Sequence, residues 1–178
     1  MNYSRVLVIG LGRSGLAAAR LAAADGAEIV VTDRRPESDL TEILAQLPDG
    51  TRSFLGGHPE ACLDGVDIVV VSPGVSPTAA LIVAARTLGL DPISEIEFAW
   101  RHRPEAPLAA VTGSNGKSTV TTLVAEMLGA GGFNVVAGGN LGTAASELVL
   151  TGGWDRWVLE ISSFQSELLT AMAPSAAV

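Results

Sequence analysis

RVLVIGLGRSGLAAARLAAADG, Arg5 to Gly26, is the stretch whose reading decides the fold. RVLVI is a short apolar run of strand length, and SGLAAARLAAADG, from Ser14, is an alanine-rich helix. Between them Gly10, Gly12 and Gly15 stand at G-x-G-x-x-G spacing. Such glycines permit a tight turn and close backbone approach, so that free N–H groups at the helix start face a diphosphate. AEIVVTD, Ala27 to Asp33, follows as a second strand and sets an acidic residue at its end, where a ribose or base lies in such folds. The spacing predicts a nucleotide site. The alternative is that these glycines serve helix–strand packing alone.

Outward from this unit the same alternation continues. SDLTEILAQL is predicted helical with Ser38 or Asp39 as its N-cap, DIVVVSPG (Asp67 to Gly74) is a buried strand running into a turn, and TAALIVAARTLG is a helix ended by Gly89. Strands alternating with helices imply a parallel sheet covered on both faces. Around EIEFAWRHRPEAP the character changes: charges cluster, and Pro104 and Pro107 interrupt. We place a domain boundary there, with residues 1–94 a Rossmann-like domain and residues 95–178 the start of a second. The segment from Glu95 to about Arg103 is predicted to be a connecting helix.

The pattern then restarts. LAAVT is a strand, TGSNGKST a glycine turn, and Val120, Leu123, Val124, Met127 and Leu128 recur at helical spacing along one predicted face. FNVVAGGNLG is a strand with a glycine-rich turn, and RWVLEISSFQSE a strand leading into polar residues and a helix. PSAAV begins one more apolar run. The second domain is therefore read as cut short, and the chain as part of a longer protein.

Lys117 is the only lysine beside ten arginines. In a phosphate-binding loop, Gly113 and Gly116 free the backbone to wrap phosphate oxygens, the lysine reaches the outer phosphates, and the Ser118 hydroxyl binds Mg²⁺. The spacing departs from G-x-x-x-x-G-K-[ST], because Val111 stands where the first glycine belongs. A helix N-terminus contributes only about 0.3 to 1 kcal/mol toward an exposed anion. In a chain of net charge -8, a triphosphate therefore needs a fixed cation and a metal ion. Glu160, at the end of the strand WVLE, is the candidate metal ligand. A merely solvated carboxylate is the alternative.

Several readings exclude function classes. The acidic balance argues against nonspecific nucleic-acid binding. No apolar run approaches the length that spans a bilayer, and MNYSRVLVIG lacks the layout of a secretory leader, so a cytoplasmic protein without membrane insertion is expected. Cys62 is the single cysteine and is read as a packing residue. His58 and His102 are read as surface groups, and the three tryptophans as packing residues. Ser162 or Ser163 is expected to cap the following helix. From its residues alone, Asn140 is read more readily as a helix cap than as a ligand contact. Arg34 and Arg35 are open between stacking on a base and forming a solvated pair. Taken alone, the first glycine turn suggests an NAD(P)-dependent oxidoreductase, and a noncatalytic nucleotide-binding module is a further alternative.

GLGRSG, SPGV, TGSNGKST, GGNLG and SSFQ together resemble the Mur ligases, ATP-dependent amide ligases that build the peptidoglycan stem peptide. Departures are Ile161 and Ser166, where leucine and an apolar residue are expected. The resemblance implies a Rossmann-like α/β domain with a parallel sheet that binds a UDP-sugar, followed by a truncated P-loop ATPase-type central domain. It implies UDP-substrate contacts from Gly12, Arg13, Ser14, Asp33, Arg34, Arg35, Gly74 and Asn140. It further implies an ATP loop of Gly113, Ser114, Asn115, Gly116, Lys117, Ser118 and Thr119, with Lys117 catalytic, and Mg²⁺ on Ser118 and Glu160. The partners implied are UDP-N-acetylmuramoyl-L-alanine and D-glutamate, joined through an acyl phosphate, by a monomer. The family's carbamylated lysine and histidine for a second magnesium, and its amino-acid-binding domain, have no counterpart in these 178 residues.

Overall fold

The computed structural model describes residues 3–140 and 142–178; the first two residues of the MNYSRVLVIG stretch and Leu141 of GGNLG lie outside the described residues. β1 (Arg5–Ile9), β2 (Glu28–Asp33), β3 (Arg52–Leu55), β4 (Ile68–Val71) and β5 (Pro92–Ser94) form a parallel sheet in the order β3-β2-β1-β4-β5. Successive side chains on a strand point to opposite faces. Val6, Val8, Val31 and Val70 therefore meet α1 (Arg13–Ala24) on one face. Leu7, Ile9, Val69 and Val71 meet α3 (Ala80–Thr87) and the buried Cys62 on the other. Coverage on both faces is why these strands read as unbroken apolar runs.

The predicted helix over 38–47 is broken. A 3-10 turn (Glu37–Asp39) precedes a single turn, α2 (Thr41–Leu44), and neither Ser38 nor Asp39 caps it; Leu40 stands at the N-cap and buries its side chain in the core under the first sheet. The Ser38 hydroxyl instead donates to Asp39 at 3.1 Å. Gly89 follows α3 at φ +78°, the left-handed conformation expected after a helix end.

The second sheet is also parallel. β6 (Leu108–Val111), β7 (Val135–Gly139), β8 (Arg156–Glu160) and β9 (Ala176–Ala177) run in the order β7-β8-β6-β9. One face, with Leu108, Val136, Trp157 and Leu159, packs on α4 (Glu95–Arg101) and α6 (Ala145–Thr151). Alongside the sheet lies α5 (Lys117–Ala130), whose predicted apolar stripe does not bury as a unit: Leu123 is 56% and Met127 72% exposed. Among the described residues nothing covers that side of the helix. After β8 comes the short α7 (Ser163–Ser166), capped by Ser162, whose hydroxyl accepts from the Gln165 N–H while Gln165 accepts from the Ser162 N–H.

α4 is a buried strut. It was expected as a connecting helix, and its carboxylates Glu95 and Glu97 are both fully buried. Glu95 Oε1 accepts from the Ser146 N–H at the start of α6 at 2.5 Å. Glu97 accepts from the backbone N–H groups of Thr170, Ala171 and Met172 and from Arg101. His102, predicted at the surface, is 8% exposed: Nδ1 bonds the Phe98 carbonyl and Nε2 bonds Asp25 at the end of α1, each at 2.8 Å. Helix ends leave backbone groups unpaired, and α4 supplies the side chains that satisfy them across the seam between the sheets.

Candidate functional site

The turn between β1 and α1 is built by steric necessity. Gly10 adopts φ +90°, and its carbonyl accepts from the Ser72 hydroxyl at 2.7 Å. A Cβ on Gly15 would stand 1.9 Å from the Gly10 carbonyl oxygen, so only glycine lets α1 start this close to the strand. Beyond the Gly12 N-cap, the N–H groups of Arg13, Ser14 and Gly15 have no acceptor among the described residues. They are available to an anion.

This turn forms the floor of a cleft of about 770 Å³ at the carboxyl ends of the first sheet's strands. Gly12, Arg13, Ser14, Asp33, Arg34, Arg35, Gly74 and Asn140 all line it, so the residues expected to contact the UDP-substrate are brought to one cavity. Asn140 comes from the turn after β7 and Phe164 from α7, both in the second unit, so the cleft lies between the two sheets. His58, Ser72 and Phe164 also line it and were not expected. His58, read as a surface group, is half-buried there. Recognising RSFL as a strand would have revealed it, because strand ends carry ligand-facing loops in parallel sheets.

Asp33 holds the turn in place. Its Oδ2 accepts from the Leu11 N–H at 2.7 Å and from Arg35 at 2.8 Å, and its Oδ1 accepts from the Arg35 N–H and Nε. Arg35 closes the clamp by donating to the Leu11 carbonyl at 2.8 Å. Burial works against this charge, but the hydrogen bonds from Arg35 and Leu11 prevail and lower the Asp33 pKa to about 2. Asp33 is buried, whereas the Arg35 side chain is 40% exposed. Arg34 is exposed.

On the second sheet, residues 113–119 form an open loop leading from β6 into α5. None of their backbone N–H groups has an acceptor among the described residues, and Gly113 (φ +128°) and Gly116 (φ +78°) hold left-handed conformations. Lys117 Nζ donates to the Gly113 carbonyl at 2.8 Å, folding the ammonium over its own loop. Ser118 Oγ donates to Glu160 Oε2 at 2.6 Å, and Asn140 Nδ2 donates to Glu160 Oε1 at 2.7 Å. Asn140 therefore does not cap α6; Ala144 occupies that position.

Glu160 is 3% exposed, the Ser118 hydroxyl and the Asn140 amide that donate to it are neutral, and no ion pair compensates it among the described residues. Burying an uncompensated carboxylate is costly. Oxygen ligands from Glu160 and Ser118 suit a hard divalent cation. No group of three or more histidine, cysteine or acidic side chains converges among the described residues, so Mg²⁺ on this pair would draw further ligands from phosphate and water.

Residues 4–94 match the family model for the Mur ligase MurD-like N-terminal domain. UDP-N-acetylmuramoylalanine–D-glutamate ligase of Geobacter metallireducens is 45% identical over the whole chain, which covers 40% of that relative. The enzyme of the same name from Anaeromyxobacter dehalogenans is 48% identical over 94% of the chain and 36% of its own length. The chain thus spans about two fifths of the length of the curated relatives it matches. Among solved structures, UDP-N-acetylmuramate:L-alanyl-gamma-D-glutamyl-meso-diaminopimelate ligase from Neisseria meningitides superposes with a TM-score of 0.57 at 19% identity, over 99% of this chain and 60% of that one. UDP-N-acetylmuramate-alanine ligase of Thermotoga maritima gives 0.50 at 21%, over 90% and 37%. At these identities the likeness concerns the fold.

Proposed function

The chain belongs to the Mur ligase family, in its MurD-like branch, and on that premise we propose that it carries the UDP-substrate cleft and the ATP loop of a peptidoglycan ligase. The parent reaction is the ADP-forming addition of D-glutamate to UDP-N-acetylmuramoyl-L-alanine. The observation that carries this reading is the relay Asn140–Glu160–Ser118, in which one buried carboxylate joins a wall of the nucleotide cleft to the phosphate loop. A phosphoryl donor and a carboxylate acceptor are thereby given adjoining sites, which in-line transfer requires.

In this reading Arg13, Ser14 and the free N–H groups at the start of α1 bind the diphosphate of the sugar nucleotide. Gly74 lets the ligand approach the end of β4, and Asn140 orients the sugar from the opposite wall. The N–H groups of residues 113–119 cradle ATP, and Lys117 turns from the Gly113 carbonyl to the outer phosphates. When bound at Ser118 and Glu160, Mg²⁺ supplies charge neutralisation between the two anions. Lys117 adds a fixed positive charge where negative charge develops. D-Glutamate then displaces phosphate from the activated acyl group. The proposed whole protein is cytoplasmic and monomeric, and the 178-residue chain does not ligate by itself.

Calorimetry of this chain with UDP-N-acetylmuramoyl-L-alanine and, separately, with NAD tests the reading. Heat with the UDP-sugar and none with NAD is expected. The reverse result overturns the ligase assignment in favour of an oxidoreductase.

A further inference from the structure

At the nucleoside end of the cleft, the acidic residue that the glycine fingerprint assigns to recognition has no capacity left. A carboxylate offers about four lone-pair sites, and Asp33 accepts four hydrogen bonds from Leu11 and Arg35. Recognition of the base must come from other groups beside the end of β2. Those with unused capacity include the exposed Arg34, Nη1 of Arg35 and the imidazole of His58, and of these only the imidazole can accept a hydrogen bond.

The hydrogen-bond network engages Nδ1 of His58 and leaves Nε2 free. The Thr32 hydroxyl has a single proton, which it donates to the Gly57 carbonyl at 3.1 Å. The contact of 2.9 Å between Thr32 Oγ1 and His58 Nδ1 therefore has Nδ1–H as donor. Nε2 is left as an acceptor, with no protein partner among the described residues, and it is not a buried unsatisfied atom. Burial is the largest influence on the ring and lowers its pKa, Asp33 opposes that, and the Arg34 charge lowers it further. The balance favours the neutral ring.

We propose that His58 is a specificity-determining residue for the nucleobase, its Nε2 accepting a hydrogen bond from the imide N–H of a uracil ring. Arg34 stands beside it as a donor for an adjacent ring carbonyl, so acceptor and donor match the alternating N–H and C=O edge of an imide. A cytosine ring lacks a proton at its N3 and cannot present that edge. The inference rests on the reading of the cleft as the seat of a uridine diphosphate sugar.

The test is a binding cycle by calorimetry on this chain, with UDP, N3-methyl-UDP and CDP as probes for the wild type, His58→Ala and His58→Asn. Loss of one neutral hydrogen bond corresponds to about 3- to 10-fold in affinity. Wild type is expected to bind UDP at least about 5-fold more tightly than N3-methyl-UDP or CDP, on that same hydrogen-bond scale. The gap between UDP and N3-methyl-UDP should close in His58→Ala, with the loss falling on UDP. His58→Asn, whose side-chain oxygen can accept, should restore part of the gap. Equal wild-type affinity for UDP and N3-methyl-UDP overturns the proposal without relying on any variant, and so does an unchanged gap in His58→Ala. Failure of wild type to bind any of the three uridine or cytidine nucleotides overturns the underlying reading of the cleft instead.

Discussion

Lys117 donates to its own loop carbonyl, a neutral acceptor that leaves its charge available to an anion. Lys117→Ala in the full-length protein should abolish phosphoryl transfer while UDP-sugar affinity stays within about 2-fold, since the ammonium is assigned to the other ligand. Steady-state turnover beside calorimetry checks this, and unchanged turnover removes the role. Asp33 acts through the turn. Its folded-state pKa, about 2, lies below its ordinary 3.8, so its contribution is present above pH 4 and is lost as pH falls through 2. At 1.36 kcal/mol per unit, that contribution is about 2 kcal/mol. The stability difference between wild type and Asp33→Asn, from urea titrations at pH 5 and pH 2, should shrink by about that amount. Gly15→Ala forces a Cβ against the Gly10 carbonyl and should lower the melting temperature by several degrees, on the scale of ~1–3 kcal/mol for overpacking.

Between elements, the main fastening is α4. Its carboxylates hold the start of α6 and the chain after α7 against the first sheet, where backbone N–H groups need acceptors. Burial raises the pKa of Glu95 to about 7, against the hydrogen bonds from Ser146 and Ala145 that lower it. For a group whose folded pKa lies above its unfolded value, the contribution is complete below the unfolded pKa and fades as pH rises through the folded one. Wild type should therefore gain stability relative to Glu95→Gln as pH falls from 8 to 5. Melting curves of both proteins across that range provide the check, and parallel curves would contradict the burial argument. α5 illustrates a different constraint. Its apolar spacing was plain in the sequence, yet spacing records a face without saying what covers it, and Leu123 and Met127 stay exposed among the described residues.

At the scale of the molecule, two parallel sheets share a seam in which the cleft and the Glu160 relay adjoin. Both glycine turns, and most strands and helices, were legible because glycine spacing and hydrophobic period are local properties of the chain. The short β3 was not, because its four residues, none of them buried, carry no alternation. With it went His58, whose place in the cleft depends on where that strand ends. Asn140 was likewise ambiguous, since a cap and a carboxylate partner ask for the same side chain. The sequence by itself determined which segments form glycine turns at helix starts and which family the chain resembles, because those depend on backbone conformations that few residues permit. Tertiary structure alone decided that Asp33 is a clamp, that α4 is a strut and that His58 lines the cleft between the sheets. Each of those roles depends on a partner from another part of the fold, whose position no local pattern encodes.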